Sequence, residues 1–459
     1  MNTAQSVRAD DIGPLVAVDI GHDVYAALTD PKTAFWALVD KHRIAEATAD
    51  DAPLLQSLRE KNEGFARELN ALRFALTPSG VYLNPTERCN LNCTYCYLPA
   101  TQRSEGSDMS EERLLAALDQ LRTYFRSVMP PGRLPRAIFH GAEPLMNQRA
   151  VFAAIEHFGQ DFAFGVQTNG TLLDDATIDF LTSRNISIGL SLDGPLANIT
   201  DATRRTWGGK SVHNKVLLAM EKLRGYGSWS VITTCTTENL PYLTKIVELF
   251  HAFEVPTCML NTLRCTLPGA RGVRPGDSAM AEAFFAALER THALHRETGR
   301  KLVVANFANV LISILAPTAR RLMCDISPCG GGRAFFAMAA DGSLYPCSEF
   351  IGLPRFNGGN LFAAGGVAAA MASEAFRTVT ARNVDTFAPC NTCAVRHFCG
   401  SPCPAEAFEM NGGMNQIGAF CEFYKAQANY AFRLIADGKA DDYLWDGWDE
   451  GTETIFALA

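Results

Sequence analysis

Short apolar runs alternate along much of this chain with longer segments in which apolar residues recur at helical spacing. From Gly80 onward the alternation is regular, which is the pattern of a parallel β/α array. It predicts six strands, at residues 81–85, 137–140, 162–167, 186–191, 229–235 and 257–260. Amphipathic helices are predicted between them, the clearest after a Ser110 cap and over residues 240–253. Because a complete barrel of this type has eight strands, the pattern predicts an α/β fold built on a partial (βα)6, TIM-like barrel.

The segments outside the array follow other patterns. Residues 15–18 and 24–28 predict short strands, and residues 34–39 and 54–72 predict helices. A helix is expected over residues 284–296, after which glycine, proline and cysteine become dense and the periodicity fades. Metal ligation is expected to replace a conventional core there. We therefore expect four units: an appended N-terminal segment (1–75), the barrel (80–300), a cysteine-rich domain (320–430) and an acidic tail (431–459).

Composition adds limits on partners and location. The chain has 459 residues, 47 % hydrophobic and 20 % charged, an ordinary balance for a globular protein of roughly two or three domains. A net charge of −8 without a long Lys/Arg cluster argues against nucleic acid as the main partner. No stretch approaches the roughly eighteen apolar residues of a membrane span, and no signal-peptide pattern is present. We expect a cytoplasmic protein with reduced thiols and no membrane partner. Its acidic end contains Trp445 and Trp448, and it either docks through these rings or is a mobile tail.

Eleven of the fourteen cysteines fall into two spaced arrays. The first is C-x3-C-x2-C, at Cys89, Cys93 and Cys96. Three thiolates can hold three irons of a [4Fe–4S] cube and leave the fourth iron open to a small molecule. The second array has eight cysteines, enough for two further cubes: Cys324, Cys329, Cys347, Cys390, Cys393, Cys399, Cys403 and Cys421. The spacing therefore predicts an iron–sulfur protein with one reactive cluster.

Disulfides and zinc are the alternatives to iron–sulfur clusters. Disulfides suit small secreted chains, whereas this chain is long and has no signal peptide. Zinc binds the same thiolates, and C-x2-C pairs such as Cys390 and Cys393 are common in zinc ribbons. A structural zinc site needs four ligands, however, and no fourth Cys or His lies near Cys96 in the sequence. Zinc therefore stays open for the second array and is disfavoured for the first.

Polar motifs follow the first four predicted strands. The cysteine triad follows the first strand, residues 140–144 the second, residues 168–170 the third and residues 191–194 the fourth. Any one of them is explained by a glycine turn. In a parallel βα array, however, chemistry sits at the C-terminal ends of the strands, where the loops converge. Four motifs in order therefore indicate one active site.

With these residues identified, the chain resembles radical S-adenosylmethionine (SAM) enzymes with a C-terminal SPASM domain. That group contains maturases of ribosomally synthesised peptides and anaerobic sulfatase-maturing enzymes. The resemblance runs from about Val81 to Tyr424 and rests on the cysteine triad, on Tyr95 before its last cysteine, and on the C-terminal cysteine spacing. It implies a partial barrel with a SPASM domain, three [4Fe–4S] clusters, and SAM as cofactors.

The resemblance also implies contacts to the adenine and amino groups of SAM. The position of Tyr95 belongs to a segment whose backbone holds adenine in the family. The family's GGEP motif stands here as Gly141-Ala142-Glu143-Pro144, so Ala142 replaces a glycine. Backbone carbonyls of this motif receive the SAM ammonium in the family. Glu143 is expected to strengthen that contact through its charge.

Three further residues match family positions that contact SAM. Asn169 and Ser191 correspond to residues near the ribose and neighbouring SAM atoms. Arg204, in the spacing Asp201-x2-Arg204, is expected to bind the SAM carboxylate with its guanidinium fork. A surface salt bridge is the alternative for Arg204.

By the same resemblance, the C-terminal cysteines divide into two ligand sets. The first auxiliary cluster is expected on Cys324, Cys329, Cys347 and Cys403. The second is expected on Cys390, Cys393, Cys399 and Cys421. If Cys324 is not a ligand, the first cluster has an open iron for a substrate thiolate. Residues 328–352 look most like peptide maturases, including those that build thioether bridges.

The implied reaction is radical chemistry on a peptide. The reduced N-terminal cluster passes an electron to SAM, and the resulting 5′-deoxyadenosyl radical removes hydrogen from a peptide carbon. The auxiliary clusters can accept an electron from the substrate radical. We expect a peptide substrate, an external electron donor such as flavodoxin or ferredoxin, and a thioether or other cross-link. Formylglycine formation in a sulfatase is the alternative enzymatic interpretation. A multi-cluster electron carrier is the non-enzymatic one, and it leaves the SAM motifs unexplained.

Several residues have an ordinary structural interpretation beside a functional one. Cys235 and Cys258 lie in apolar strands and are expected to be buried. Cys265 follows the last strand, so it is either buried or a catalytic thiol facing the cavity. His140 is expected to satisfy a hydrogen bond at the top of the barrel, and Asp193 to brace a loop. The sequence identifies no catalytic acid or base.

Overall fold

A computed structural model describes residues 15–316, 324, 329–399, 403–449 and 457–458. The N-terminal part of this range forms an antiparallel sheet in the order β1-β2-β3. Its elements are β1 (Val16–Val18), β2 (Tyr25–Thr29) and β3 (Trp36–Asp40), followed by α1 (Ile44–Ala47), α2 (Pro53–Phe74) and β4 (Leu76–Thr77). The two predicted strands and the long helix are confirmed.

The helix predicted over residues 34–39 is wrong, because this segment is strand β3. It pairs with β2 over five residues, from Tyr25 opposite Asp40 to Thr29 opposite Trp36. Six residues are too few to separate helical from strand periodicity, and the partner strand decides the outcome. The sheet also docks on distant parts of the chain. Thr29 Oγ1 donates to Ala394 O at 3.1 Å, and Trp36 Nε1 donates to Ile314 O at 2.9 Å.

The centre of the described structure is a nine-stranded sheet in the order β11-β10-β9-β8-β7-β6-β5-β12-β13. Its strands are β5 (Gly80–Leu83), β6 (Arg136–Phe139), β7 (Ala163–Thr168), β8 (Ser187–Ser191), β9 (Trp229–Cys235), β10 (Thr257–Thr262), β11 (Val303–Val304), β12 (Phe335–Met338) and β13 (Leu344–Tyr345). Strands β5 to β10 are parallel and consecutive, so the predicted six-stranded βα array is confirmed.

Three short strands extend the array at its edges. β11 is parallel to β10, and β12 is parallel to β5. β13 then pairs antiparallel with β12. The sequence analysis missed β12 because it lies in the cysteine-rich region, although its four residues, FFAM, are all buried. The C-terminal region is therefore joined to the barrel through a shared sheet.

Helices cover this sheet and build the C-terminal region: α3 (Ala100–Glu105), α4 (Glu111–Val128), α5 (Gln148–Phe158), α6 (Asp175–Ser183), α7 (Ala197–Thr203), α8 (His213–Lys222), α9 (Leu243–Ala252), α10 (Pro268–Gly272), α11 (Asp277–Thr298), α12 (Ala305–Leu315), α13 (Gly366–Met371), α14 (Glu374–Thr380), α15 (Pro404–Asn411) and α16 (Cys421–Ala436). The predicted Ser110 cap is confirmed, because its Oγ accepts from Arg113 N at 3.2 Å. Among the described residues, no helix has the length and apolar character needed to cross a membrane.

The acidic end is docked as far as residue 449. Leu444 is fully buried, and Trp445 Nε1 donates to Thr257 Oγ1 at 3.2 Å. Lys301 Nζ donates to Asp446 Oδ1 at 2.6 Å. Farther on, β14 (Ala457–Leu458) pairs with β4. The aromatic rings thus hold this segment on the barrel, as the docking alternative predicted.

Candidate active site

The loop after β5 carries the first cysteine array. Burial raises the pKa of the Cys89 thiol to about 12, and the thiols of Cys93 and Cys96 act in the same direction, so the three sulfurs share one electrostatic environment. Leu91 N donates to Cys89 Sγ at 3.4 Å. All fourteen cysteines are free, so the disulfide alternative is wrong.

Arg103 holds this loop in shape, and the sequence analysis missed it. Its side chain donates to Leu98 O at 3.1 Å, Leu91 O at 2.9 Å and Asn92 Oδ1 at 3.2 Å. The residue is buried. Burial raises the pKa of the Cys96 thiol, and the Arg103 charge acts in the opposite direction. The guanidinium therefore both folds the loop and favours its thiolates.

Glu143, after β6, links two strand ends. Its Oε1 accepts from Leu145 N at 3.1 Å and Thr168 Oγ1 at 2.8 Å, and its Oε2 accepts from Asn169 N at 2.8 Å. Complete burial raises its pKa to about 7, although these hydrogen bonds act to lower it. The loop reaches this position through Gly141, whose φ is 103°. A Cβ on residue 141 would lie 2.3 Å from Asn84 Cγ, so this position requires glycine. The next position accepts a methyl group and holds Ala142.

Asn169, after β7, connects this pair to the cysteine loop. Its Nδ2 donates to Asn90 Oδ1 at 2.8 Å and lies 3.9 Å from Cys89 Sγ. Its Oδ1 accepts from Thr171 Oγ1 at 2.6 Å, and Asn90 Nδ2 donates to the same hydroxyl at 2.8 Å. A closed ring of polar contacts therefore fixes Asn169 next to the first cysteine.

Arg204 is a member of a buried polar network, not a surface salt bridge. Its Nε donates to Asp193 Oδ2 at 3.1 Å, and its Nη2 donates to Tyr95 Oη at 2.6 Å. Tyr95 Oη in turn donates to Asp193 Oδ2. Asp201, the acid of the expected D-x-x-R spacing, instead accepts from Ser211 Oγ at 2.9 Å. Arg204 also lowers the pKa of Cys93 against the larger effect of burial.

Asp193 braces its loop, as expected, and it also forms the ion pair with Arg204. Its Oδ1 accepts from Thr234 N at 3.0 Å, and Asn239 Nδ2 donates to its backbone carbonyl at 2.8 Å. Ser191 ends β8 two residues earlier and is half-buried. The structure therefore brings the four strand-end motifs together around the cysteine loop.

Four of the C-terminal cysteines line one cavity. They are Cys390, Cys393, Cys399 and Cys421, with Arg396, Tyr424 and Lys425 also in the wall. The other four interact electrostatically, because burial raises the pKa of the Cys347 thiol and Cys324, Cys329 and Cys403 raise it further. The two ligand sets that the family resemblance implies stay a prediction. Among the described residues, no three Cys, His, Asp or Glu side chains converge on one metal ion.

Glu349 and Arg264 lie between the two arrays, and the sequence analysis missed both. Arg264 Nε is 3.8 Å from Glu349 Oε1, while Glu349 Oε2 is buried without a hydrogen-bond partner among the described residues. Burial raises the pKa of the Cys96, Cys347 and Cys403 thiols, and the Glu349 charge acts in the same direction on all three. Burial raises the pKa of Glu349 itself to about 7. The sequence signal that could have identified Glu349 was its position two residues after Cys347, within the cysteine-rich region.

The remaining candidates are buried. Cys235 and Cys258 are fully buried, as predicted. Cys265 is fully buried too, and its backbone N–H donates to Glu406 Oε1 at 2.8 Å, so its thiol does not face an open cavity. The Nδ1 of His140 is buried without a hydrogen-bond partner in the described part of the chain, so this nitrogen does not make the expected hydrogen bond. Burial lowers its pKa to about 4, and its ring packs on Tyr82.

Comparison with known proteins agrees with this site. The sequence model of the Radical SAM superfamily matches residues 83–250, which contain the cysteine triad, Glu143, Asn169 and Arg204. An uncharacterized protein of Archaeoglobus fulgidus is 37 % identical over 414 residues, covering 90 % of this chain and 93 % of that protein. The chain belongs to the radical SAM superfamily. This radical SAM protein is therefore an enzyme.

More distant relatives have described activities. A cysteine-type anaerobic sulfatase-maturating enzyme of Clostridium perfringens is 23 % identical over 386 residues, covering 78 % of this radical SAM chain and 98 % of that enzyme. The structure of anSMEcpe with bound AdoMet has a TM-score of 0.68 at 19 % identity, covering 83 % of this chain and 100 % of that one. Streptococcus suis SuiB bound to precursor peptide SuiA has a TM-score of 0.59 at 10 % identity, covering 89 % and 98 %. These structures show the fold, a partial barrel with a SPASM domain.

Radical SAM membership implies a [4Fe–4S] cluster and SAM. The donor set fits both groups. The loop after β5 supplies three neighbouring thiols and no fourth, which suits a cluster with one open iron. Around it lie a carboxylate, an amide and a guanidinium, on Glu143, Asn169 and Arg204, which suit a zwitterionic amino-acid group.

Proposed function

We propose that this enzyme oxidises a peptide substrate and joins a cysteine sulfur of that peptide to one of its carbons. The observation that carries the proposal is the juxtaposition of the two cysteine arrays around Glu349. Removal of hydrogen from carbon leaves a radical, and forming a carbon–sulfur bond from that radical and a thiol releases one proton and one electron. An electron acceptor next to the site of hydrogen removal suits this reaction.

The residues of the barrel hold SAM in the proposed site. When bound, the cluster and SAM supply a 5′-deoxyadenosyl radical that removes hydrogen from the substrate. Arg204 would receive the SAM carboxylate on the face not used by Asp193 and Tyr95. Asn169, fixed by Asn90 and Thr171, would present its amide to the ribose side. Ser191 and the Ala142 backbone would complete the pocket.

The C-terminal cysteines are proposed to bind two auxiliary clusters, which makes three with the first. Cys324, Cys329, Cys347 and Cys403 would hold one, and Cys390, Cys393, Cys399 and Cys421 the other. Glu349 and Arg264 would form the polar wall of the substrate chamber between the first cluster and the nearer auxiliary one. The orphan Oε2 of Glu349 offers an acceptor to a substrate N–H or S–H group. An external one-electron protein such as flavodoxin or ferredoxin would supply the starting electron.

The N-terminal sheet is proposed to capture the peptide as an added strand. Lys41 N donates to Val24 O, and Asp30 N donates to Phe35 O. These two bonds show which residue pairs of the β2/β3 ladder are hydrogen-bonded to each other and which are not. The N–H groups of Trp36, Leu38 and Asp40 then point away from β2. No other described strand pairs with that edge. Strand addition at such an edge gives affinity with little demand on peptide sequence.

Two of the similar solved structures support a peptide substrate. SuiB is described with a precursor peptide, and anSMEcpe is described with a Cys-containing peptide, Cp18Cys. The second candidate function, formylglycine formation on a sulfatase, is favoured by the 23 % identity to the C. perfringens enzyme.

Mass spectrometry of the product separates the two functions. The test combines anaerobic enzyme, reductant and SAM with short Cys-containing peptides. A cross-link lowers the peptide mass by two hydrogens, and the joined cysteine then resists alkylation after disulfide reduction. A product that is lighter by two hydrogens but still alkylates at every cysteine rejects the thioether. An aldehyde that reacts with hydrazines and lacks the thiol supports the sulfatase function instead.

A further inference from the structure

The segment of residues 390–399, which we call the ligand loop, carries three of the four cysteines that line one cavity. Two hydrogen bonds join this loop to the N-terminal sheet. Thr29 Oγ1 donates to Ala394 O at 3.1 Å, and His397 Nε2 donates to Pro31 O at 2.9 Å. Thr29 and His397 are buried, so bulk water does not compete for these bonds. The ligand loop is therefore held at the end of β2.

A chain of ion pairs makes a second connection. Arg73, near the end of α2, donates from Nη2 to Asp385 Oδ2 at 2.9 Å, and Asp385 Oδ1 accepts from Arg396 Nε at 2.8 Å. Arg396 belongs to the ligand loop. Its Nη1 donates to Asn391 O at 3.3 Å, and its side chain lines the cavity together with the cysteines. The N-terminal helix is therefore joined through one carboxylate to the wall of the cavity.

Aromatic rings make a third connection. The centre of the Trp36 ring of β3 lies 5.5 Å from that of Phe432, and the centre of the Phe432 ring lies 5.5 Å from that of Phe398, in both cases edge to face. Phe432 belongs to α16, which begins at Cys421, and Phe398 directly precedes Cys399. The N-terminal sheet is thus packed against both elements that carry these four cysteines.

Interactions outside the ligand shell orient metal ligands and raise the affinity of the site. Within the ligand loop, the described backbone hydrogen bonds belong to turns, such as Cys393 N to Cys390 O at 3.0 Å and Cys399 N to Val395 O at 3.1 Å. We propose that the N-terminal sheet positions the ligand loop for cluster binding, with Thr29 as a positioning residue. This rests on the proposed assignment of the second auxiliary cluster. It makes the N-terminal segment part of a cluster site as well as the proposed site of peptide capture.

The test uses full-length protein in which only the auxiliary clusters contribute, because alanine replaces the three cysteines of the first array: Cys89, Cys93 and Cys96. Thr29→Val replaces the hydroxyl by a methyl group, whereas Thr29→Ser keeps the donor to Ala394 O. Thr48→Val is the matched control, because Thr48 is also buried but its hydroxyl donates to Ile44 O at 2.8 Å, within the N-terminal segment. The measurements are iron content, the rate of iron release to a chelator, and hydrogen exchange at the ligand-loop amides.

The parent should hold about eight irons, about four in each cluster. In Thr29→Val, one group of irons should be released at least about tenfold faster, the lower end of the effect of outer-shell substitutions on metal sites, and the other group should be unchanged. Exchange at the ligand-loop amides should accelerate as well, while Thr29→Ser and Thr48→Val stay close to the parent. Unchanged release and exchange in Thr29→Val would overturn the proposal. So would equal acceleration of both iron groups, or an equal effect of Thr48→Val, because either result indicates a general loss of stability.

The cluster assignment is tested separately in the same background. Cys390→Ala and Cys393→Ala together should lower the iron content from about eight to about four per chain. An iron content that stays at about eight would refute the assignment itself, and the proposal with it. None of these measurements uses a peptide, so a failure of the proposed cross-linking reaction would leave their results unaffected.

Discussion

Glu143 gives the protein a pH dependence whose sign and size follow from its surroundings. Burial raises its pKa to about 7, compared with an ordinary value of 4.5. The native protein therefore binds this proton more tightly than the unfolded chain does. The contribution to stability is fully present below pH 4.5 and is lost as the pH rises through 7. Between pH 5.5 and 8 the free energy of unfolding should fall by about 2 kcal/mol from this group alone, taking 1.36 kcal/mol per pKa unit and partial ionisation at each limit.

Glu143→Gln isolates this effect. The amide keeps the acceptors for Leu145 N and Thr168 Oγ1 but turns an N–H towards Asn169 N, which costs a hydrogen bond at every pH. The variant should therefore be less stable than the parent at pH 5.5. The difference between the two free energies of unfolding should be smaller at pH 8. For a folding unit the size of the barrel, 2 kcal/mol corresponds to a change of about 4–8 °C in the difference between the two Tm values.

The assay is anaerobic thermal unfolding of parent and variant without SAM, from pH 5.5 to 8. Glu112→Gln is the control, because Glu112 is exposed in the first turn of α4 and its backbone hydrogen bond lowers its pKa. Any pH dependence of that control must run in the opposite direction. A gap between parent and Glu143→Gln that stays constant over this range would refute the assignment of a buried, protonatable Glu143.

Three other predictions concern the proposed chemistry. Replacing Cys89, Cys93 and Cys96 together by alanine should lower the iron content from about twelve to about eight per chain and abolish 5′-deoxyadenosine formation; full SAM cleavage in this variant would contradict the site. Arg204→Met should weaken SAM binding by about tenfold or more without loss of iron, whereas Asp193→Asn, which leaves the cation in place, should have a smaller effect in the same calorimetric titration. Leu38→Pro removes an outward N–H of β3 and should weaken peptide binding while sparing SAM cleavage. Leu38→Ala keeps that N–H, so equal peptide affinity in the two variants would count against strand addition.

The parts of the fold that rest on repetition could be predicted from the sequence. The parallel strands β5 to β10 and their helices appear as a regular alternation, and each predicted strand lies within two residues of the observed one at almost every boundary. The cysteine arrays could be predicted for a similar reason, because ligand spacing is a local property. β3 and β12 could not, since each is short and owes its conformation to strand pairing, β3 with the neighbouring β2 and β12 with the distant β5.

The hydrogen-bond and ion-pair partners of the site residues could not be predicted from the sequence, because tertiary contacts determine them. The D-x-x-R spacing singled out Arg204 but gave no partner for it, and a carboxylate eleven residues away, Asp193, forms the salt bridge. Glu349 and Arg264 are separated by more than eighty residues and meet only when β10 and the segment after β13 approach each other. Neither residue belongs to a pattern that a reader of the sequence can detect.

Buried arginines connect these findings. Arg103 and Arg204 act on the thiols of the first array, and Arg264, Arg333 and Arg382 act on those of the second. A buried cation is costly unless an anion lies close to it, and a neutral thiol does not supply one. Arg204 has Asp193 as an anionic partner and Arg264 has Glu349, and an iron–sulfur cluster with its thiolates would supply further negative charge near these arginines. In the sequence all of them except Arg204 look like ordinary surface residues, but in the fold they lie within electrostatic reach of the cysteine arrays. The charge distribution thus supports cluster binding independently of cysteine spacing.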